Sequence, residues 1–370
     1  MTSSRSRAFG GPFRYVQGPG ELTNLAQHAA DYGDRLFLLV DGFLMDSIRA
    51  RFNDESAAMT WEKFSGECTE AEVGRVAALA SEAKAQVIVG VGGGKTLDAA
   101  KLAAANLSLP LIIAPTSAST DAPTSAMSVL YKETGEHVRA VCLKHSAELV
   151  LVDSSIIAAA PLRLLVAGMG DALSTWFEAR ANAASDTANY IGRGYRRSLA
   201  AMAIAEKCYR TLLADGFTAR LALENGAVTE AVENVIEANI LLSGLGFENT
   251  GCAGAHAVHT GFHEIESAAG AYHGEIVAFG VLFQLMLENA PAVEVEEVLQ
   301  FMYQVGLPMT MTDLNVEPTE ENFQKIAGRI LDGNSGVEAE PFLVTRDLVL
   351  GALKTADAMG RRFKSRAAKV

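Results

Sequence analysis

The chain lacks the features that would tie it to a membrane, a nucleic acid or an oxidising compartment. It has no run of 18 uncharged apolar residues, since Asp153 and Arg163 interrupt the longest candidate, so no transmembrane helix is expected. No apolar h-region follows the arginines of MTSSRSRAFG, so no secretory leader is expected. Basic residues are in deficit: 31 Lys and Arg against 44 Asp and Glu leave a formal charge of −13. Nucleic acid and anionic membranes both require a basic face, and neither is an expected partner. An anionic cofactor is not excluded, because local backbone dipoles can hold a phosphate against the global charge. The four cysteines, Cys68, Cys142, Cys208 and Cys252, stand far apart with no C-x-x-C pairing. They read as buried small residues in a reducing compartment. The expected location is the cytoplasm.

What is present suits a globular enzyme: 370 residues, 49% hydrophobic and 20% charged, enough for about two domains. Up to about residue 155, short apolar strands alternate with helical stretches. Strand candidates are Leu36 to Val40, Trp61 to Phe64, Val87 to Val89, Leu111 to Ile113 and Leu149 to Val152. Two more, around Val129 to Tyr131 and Val138 to Leu143, flank Lys132-Glu133-Thr134-Gly135, a hairpin turn. Near-continuous apolar strands separated by helices imply a Rossmann-like parallel sheet covered on both faces. After Pro161 the pattern turns helical, over 164–184, 193–214, 228–247, 252–264, 274–289, 293–305 and 344–365, and no clear strand follows. The expected architecture is an α/β nucleotide-binding domain over 1–160 and an all-α domain over 161–370, with the active site between them.

The most informative stretch is Gly90-Val91-Gly92-Gly93-Gly94-Lys95-Thr96-Leu97-Asp98-Ala99-Ala100-Lys101. A strand, a glycine loop and a helix start present bare backbone N–H groups to a phosphate, and a Cβ there would hold the pyrophosphate away. The wording matches neither G-x-G-x-x-G nor a Walker A loop. A plain strand-to-helix turn is the bland alternative. After the strand ending at Ile113 comes Thr116-Ser117-Ala118-Ser119-Thr120-Asp121-Ala122-Pro123-Thr124-Ser125. It offers hydroxyls and one carboxylate where ligands of parallel sheets gather; a solvated polar loop is its alternative. Asp41 ends another strand, where a carboxylate can accept from ribose hydroxyls and favour NAD over NADP, or simply form a turn.

Four of the seven histidines fall between residues 256 and 273: His256, His259, His263 and His273. The first three share a stripe of about 60° on one helix face. His256 and His263 would be about 10 Å apart along the axis, whereas His256 and His259 are one turn apart and can share an ion. His273 stands where a new helix begins. A metal site also wants a carboxylate. In Gly168-Met169-Gly170-Asp171 the spacing leaves Asp171 open between a helix N-cap or first-turn residue and a ligand.

Taken together, GVGGGKTLDAAK (90–101), APTSASTDAPTSA (114–126), GMGDALSTWFEARA (168–181), IEANILLSGLGFE (236–248), GAHAVHTGFH (254–263) and YHGEIVAFG (272–280) resemble the iron-activated alcohol dehydrogenase superfamily, and within it the NAD-dependent, zinc-binding glycerol dehydrogenases. The resemblance spans most of the chain and implies a dehydroquinate-synthase-like fold around a deep cleft. It makes Asp171, His256 and His273 the metal ligands, choosing His273 over His259. It puts Gly92, Gly93, Gly94 and Lys95 at the pyrophosphate, and Thr116 and Ser119 along the cofactor. Ser125, Met127 and Tyr131 then flank the nicotinamide half, Asp41 the adenosine ribose, and Asp121 the substrate hydroxyls. Iron-using relatives carry a fourth ligand, a histidine one turn after the aspartate; Thr175 stands there, which favours three protein ligands and zinc. Met127 replaces a more usual leucine, and His263 is an extra histidine read as a bystander.

The implied activity is NAD-dependent, metal-assisted, reversible oxidation of glycerol to dihydroxyacetone, with other 1,2-diols accepted. A vicinal diol can chelate a Lewis acid and a simple alcohol cannot. The rivals are a glycerol-1-phosphate dehydrogenase or dehydroquinate-synthase-like enzyme on the same fold, and a non-catalytic metal- and nucleotide-binding protein. Anionic substrates would call for a basic cluster, yet 252–275 contains no Arg or Lys and Arg180 stands alone near Asp171. A closed four-ligand site would mark a structural metal, and three ligands with an open position speak against that. Helix surfaces rich in alanine and leucine, with the family's tendency to rings, point to a homo-oligomer.

Overall fold

The computed structural model describes residues 6–52, 58–333 and 335–369. Residues 1–5, part of the segment read for a leader, lie outside the described residues. The chain divides into two compact units, Gly10–Pro161 and Leu162–Val370 with Met1–Phe9. The N-terminal residues join the helical unit through a bridge between Arg7 and Arg196.

The first unit contains the strands β1 (Arg14–Gly18), β2 (Arg35–Val40), β3 (Ala58–Lys63), β4 (Val87–Gly92), β5 (Leu111–Pro115), β6 (Met127–Tyr131), β7 (His137–Cys142) and β8 (Leu149–Asp153). Its α-helices are α1 (Leu25–Ala29), α2 (Met45–Arg49), α3 (Glu70–Glu82), α4 (Gly94–Leu107) and α5 (Ser154–Ala159). Six strands form one sheet in the order β1-β8-β5-β4-β2-β3, with every pairing parallel. Strands β2, β4, β5 and β8 are almost wholly buried, as continuous apolar runs in a covered parallel sheet must be. The pair β6 and β7 is an antiparallel hairpin, and Gly135 supplies the positive φ of its turn. Strand β1 gives no apolar signal. Its sequence, RYVQG, is half exposed at the sheet edge, and pairing with β8 rather than side-chain pattern makes it a strand.

From β2 the chain moves outward to β3, then returns to place β4 on the other side of β2. Direction reverses there, and ligands of open parallel sheets bind outside the carboxyl ends at such a point. The register sets Val40 opposite Val91, which puts Asp41 beside the glycine loop.

The helical unit contains α6 (Leu162–Ser185), α7 (Leu199–Glu224), α8 (Glu230–Glu237), α9 (Ser243–Thr250), α10 (Gly254–Phe262), α11 (His273–Leu287), α12 (Ala292–Val305), α13 (Glu320–Leu331) and α14 (Arg346–Ala367). A π-turn at Ala238–Leu242 joins α8 to α9. Helix α13 lies outside the helical ranges expected from the sequence, although Phe323, Ile326, Ala327 and Ile330 carry its buried stripe and Thr319 caps it. Helix α11 is buried nearly all round, so it forms the unit's axis. Among the described residues no helix is long and apolar enough to cross a membrane.

Close approach of α6 and α11 depends on two glycines. A Cβ on Gly274 would stand 1.9 Å from the Ala167 carbonyl oxygen, and one on Gly170 would stand 2.2 Å from the Gly274 carbonyl oxygen. Asp171 and His273 are the chain neighbours of these glycines, so this crossing is what sets the two side chains together. Gly274→Ala should therefore lower stability by about 3 kcal/mol or more. Gly328→Ala, on α13 with open space around it, should raise stability by about 0.5–1 kcal/mol. Thermal unfolding of the two variants measures both, and equal effects would contradict the packing argument.

Candidate functional site

Each unit carries candidate site residues of its own. In the α/β unit, β4 ends at Gly92 and α4 starts after Gly93. A Cβ on Gly90 would meet Ala100 at 2.7 Å, and one on Gly92 would meet Asp41 at 2.7 Å. Gly93 and Gly94 face more open space. The loop thus packs tightly behind and leaves open space over Gly93 and Gly94, where a ligand can come close to the backbone with no Cβ in the way. Asp41 accepts from the Gly93 N–H and from the Thr96 hydroxyl, both at 2.9 Å. The predicted ribose acceptor is thereby also the brace of the glycine loop. Lys95 donates to Glu67 Oε2 at 2.6 Å and lies 4.8 Å from the Tyr131 ring centre. These contacts join two predicted cofactor residues, Lys95 and Tyr131.

The Ser/Thr loop is no solvated segment: Thr116, Asp121, Thr124 and Ser125 are all buried. The Thr116 N–H donates to Gly92 O at 3.1 Å. Ser117 and Ser119 share a hydroxyl contact of 3.2 Å, and Ser125 donates to Ala122 O at 3.2 Å. Asp121 precedes the 3-10 turn Ala122–Thr124. Burial, with the Asp98 and Glu67 charges, pushes the Tyr131 phenol up to about 12, so Tyr131 stays a neutral donor.

Beneath this loop lies a charged pair to which the sequence reading gave no role. Lys101 is only 2% exposed, and its ammonium donates to Ala122 O at 2.6 Å and Met127 O at 2.8 Å. Asp98 stands 3.5 Å from Lys101 and accepts from the Val129 N–H at 2.9 Å. Burial lifts the Asp98 carboxyl above its ordinary value despite these partners. Together they fasten both ends of the segment that carries Ser125 and Met127 to helix α4. A Lys and an Asp three residues apart among Leu97, Ala100 and Leu102 was the available signal.

In the helical unit, Asp171, His256 and His273 come together. One ligand atom from each lies within 4.8 Å of the others. Asp171 Oδ1 is 3.1 Å from His273 Nε2 and 3.5 Å from His256 Nε2. Two donors at about 2.0–2.1 Å from one tetrahedral ion stand roughly 3.3–3.4 Å apart, so the set has the spacing and the donor chemistry to hold a metal ion. Asp171 is not the helix cap that its glycines suggested. It lies mid-helix in α6, 1% exposed, where the backbone N–H groups are already used and cannot satisfy it. Burial alone would raise its carboxyl, but the charges and hydrogen bonds of His273 and His256 hold it well below the usual carboxylate range. His256 is pulled down by burial and raised further by Cys252, Glu178 and Asp171, ending well above an ordinary imidazole. The trio is built to surround one positive charge.

His259 belongs to a different contact. Its ring lies 4.2 Å from that of His273 and 4.6 Å from that of His263. Burial, followed by the His273, His263 and His256 charges, pushes it well below 6.5. It packs against the trio as a neutral ring, and spacing alone could not separate it from His273. The guanidinium groups are engaged: Arg163 forms a two-pronged pair with Glu275 at 2.6 and 2.7 Å, and Arg180 pairs with Glu294.

A further acid missed in the sequence is Glu340, which accepts from the Gly254 N–H at 3.1 Å. Burial and the neighbouring Glu288 push its carboxyl up to about 8.

Comparison with known proteins relates the whole chain to one family. The family model for iron-containing alcohol dehydrogenase matches residues 12–154. Glycerol dehydrogenase of Citrobacter freundii is 42% identical over 360 residues, covering 96% of this chain and 98% of that protein. Glycolaldehyde reductase of Halobacterium salinarum is 40% identical, covering 97% and 99%. The solved structure of a probable glycerol dehydrogenase from Sinorhizobium meliloti 1021 superposes with a TM-score of 0.91 at 44% identity, covering 96% and 99%.

Two predictions follow from the buried charges. Lys101→Met leaves two carbonyls and a carboxylate without their cation and should cost about 3–5 kcal/mol. Asp98→Asn keeps an acceptor for the Val129 N–H and should cost less. Urea unfolding read from Trp61 in a Trp176→Phe background measures both. The second concerns Glu340. The folded chain keeps a proton there that the unfolded chain loses near pH 4.5, so this acid subtracts stability as pH rises from 4.5 to about 8. Glu340→Gln has no proton to lose. Its unfolding temperature minus that of the parent, with chelator present, should grow more positive across that window, and a pH-independent difference would contradict the assignment.

Proposed function

We propose that this chain, which belongs to the iron-containing alcohol dehydrogenase family, is an NAD-dependent, zinc-assisted dehydrogenase that interconverts glycerol and dihydroxyacetone. The observation that carries the reading is the Asp171, His256 and His273 trio, whose spacing and donor chemistry suit zinc. Thr175 supports three protein ligands, because its hydroxyl is already shared with Ser243 at 2.9 Å. Glycerol dehydrogenase and glycolaldehyde reductase relatives both point to small substrates with oxygens on adjacent carbons.

Zinc in this trio would supply Lewis-acid polarisation of a hydroxyl, and NAD the acceptance of a hydride from the carbinol carbon. The residues of the chain bind and orient. We assign Gly92, Gly93, Gly94 and Lys95 to the pyrophosphate, Asp41 to the ribose, and Thr116, Ser119, Ser125, Met127 and Tyr131 to the rest of the cofactor. Asp121 is assigned to the substrate hydroxyls. Arg163 and Arg180 are already engaged by carboxylates, which disfavours their holding a phosphorylated polyol and with it the glycerol-1-phosphate reading. We also propose a cytoplasmic homo-oligomer, in which the exposed Phe43, Leu199, Val293 and Leu343 are covered.

The test is NADH formation from glycerol before and after chelation and zinc add-back. Activity should vanish with the ion and return with it. Ethanol should be a far poorer substrate than glycerol, 1,2-propanediol or ethylene glycol, because it cannot chelate. Equal turnover of ethanol and glycerol, or turnover that survives verified metal removal, would refute the reading.

A further inference from the structure

Helix α10 begins with four N–H groups, and every one ends on a buried side-chain oxygen. Ala253 and His256 donate to Glu178 Oε1 at 2.8 and 2.9 Å. Gly254 donates to Glu340 Oε1 at 3.1 Å, and Ala255 to Gln284 Oε1 at 3.0 Å. The other oxygen of Glu178, Oε2, lies 2.8 Å from His256 Nδ1. Glu178 and Asp171 share one face of α6, seven residues apart, and both are buried. His256 therefore has a carboxylate from the same helix at each ring nitrogen, Glu178 at Nδ1 and Asp171 at Nε2.

We propose that Glu178 is a positioning residue that fixes His256 in its Nδ1–H form, so that Nε2 is the metal-binding nitrogen; this rests on the metal reading above. The neutral imidazole carries one proton, and a carboxylate can only accept. With Oε1 fastened by two backbone N–H groups, Oε2 cannot turn away from Nδ1. The proton belongs on Nδ1 and the Nε2 lone pair faces Asp171, the arrangement that orients ligand histidines and raises their basicity. Cys252 also lies within 4.8 Å of this pair, which offers a second cage as the competing reading. The 2.8 Å separation of Oε2 and Nδ1 is a hydrogen bond, shorter than the roughly 3.3 Å between two donors on a common zinc.

Glu178→Gln tests the idea with almost unchanged shape. Its amide oxygen can take the two backbone N–H groups, but its NH2 then points at Nδ1 and drives the proton to Nε2, where it opposes metal binding. Zinc affinity, measured by competition with a chromophoric chelator, should fall about 10–100-fold. Glu340→Gln, which caps the same helix without touching His256, should keep the parental affinity. Glu178→Gln binding zinc within about threefold of the parent would overturn the inference, as would an equal loss in Glu340→Gln. A parent chain that binds no zinc would instead refute the metal reading itself. If Glu178→Gln fails to fold, the parent decides: 15N-histidine-labelled protein loaded with 113Cd should show coupling to His256 Nε2, and coupling to Nδ1 would overturn the proposal.

Discussion

The helical unit is arranged around the buried carboxylate of Asp171, which lies mid-helix and meets two histidines from other elements. An isolated charge in such a place is prohibitively costly, and Asp171, mid-helix in α6, cannot be rescued by its own helix. Its partners must arrive from other elements. His273 comes from the start of α11 and His256 from the first turn of α10. Both can reach only because glycine pairs allow backbone to touch backbone: Gly170 against Gly274, and Gly280 against the Ala255 carbonyl. The packing of three helices and the electrostatics of one side chain are the same problem.

The α/β unit solves a related problem with the signs reversed. Lys101 is a buried cation held by two carbonyl oxygens and Asp98, and it anchors a loop that would otherwise be free to move. Asp41 does the same for the glycine turn through Gly93 and Thr96. Buried polar networks of this kind are favourable only when every member is satisfied. They therefore hold their segments in one geometry, as a cofactor site requires.

Within the trio, His256 holds its proton well above the ordinary imidazole range beside an ionised Asp171; on the metal reading proposed above, an ion displaces that proton, so binding and pH are linked. His259 stays neutral against His273 and adds no second cation to repel the first. Arg163 and Arg180 are each paired with a glutamate. The net negative charge of the chain thus coexists with a site that collects positive charge.

Much of this was legible in the residues themselves. Apolar strand runs, the glycine loop and the helical period after Pro161 are local signals, and the parallel sheet and helical unit follow from them. The cluster of four histidines announced a metal, because ligand chemistry is written in residue types. Which histidine joins Asp171 was not legible from spacing, since the contact spans residues about a hundred positions apart and depends on a helix crossing that two glycines permit. Spacing left Asp171 open between cap and ligand, because glycines before an acid also look like a helix start; only the continuous helix through it shows a buried mid-helix charge. Glu178, Glu340 and Lys101 looked like ordinary helix or surface residues, and their roles exist only once burial has removed water. The sequence by itself determined the elements and the chemistry available. Tertiary structure decided which charges meet, because their energies depend on distance and solvent exclusion, and neither is a property of residue order.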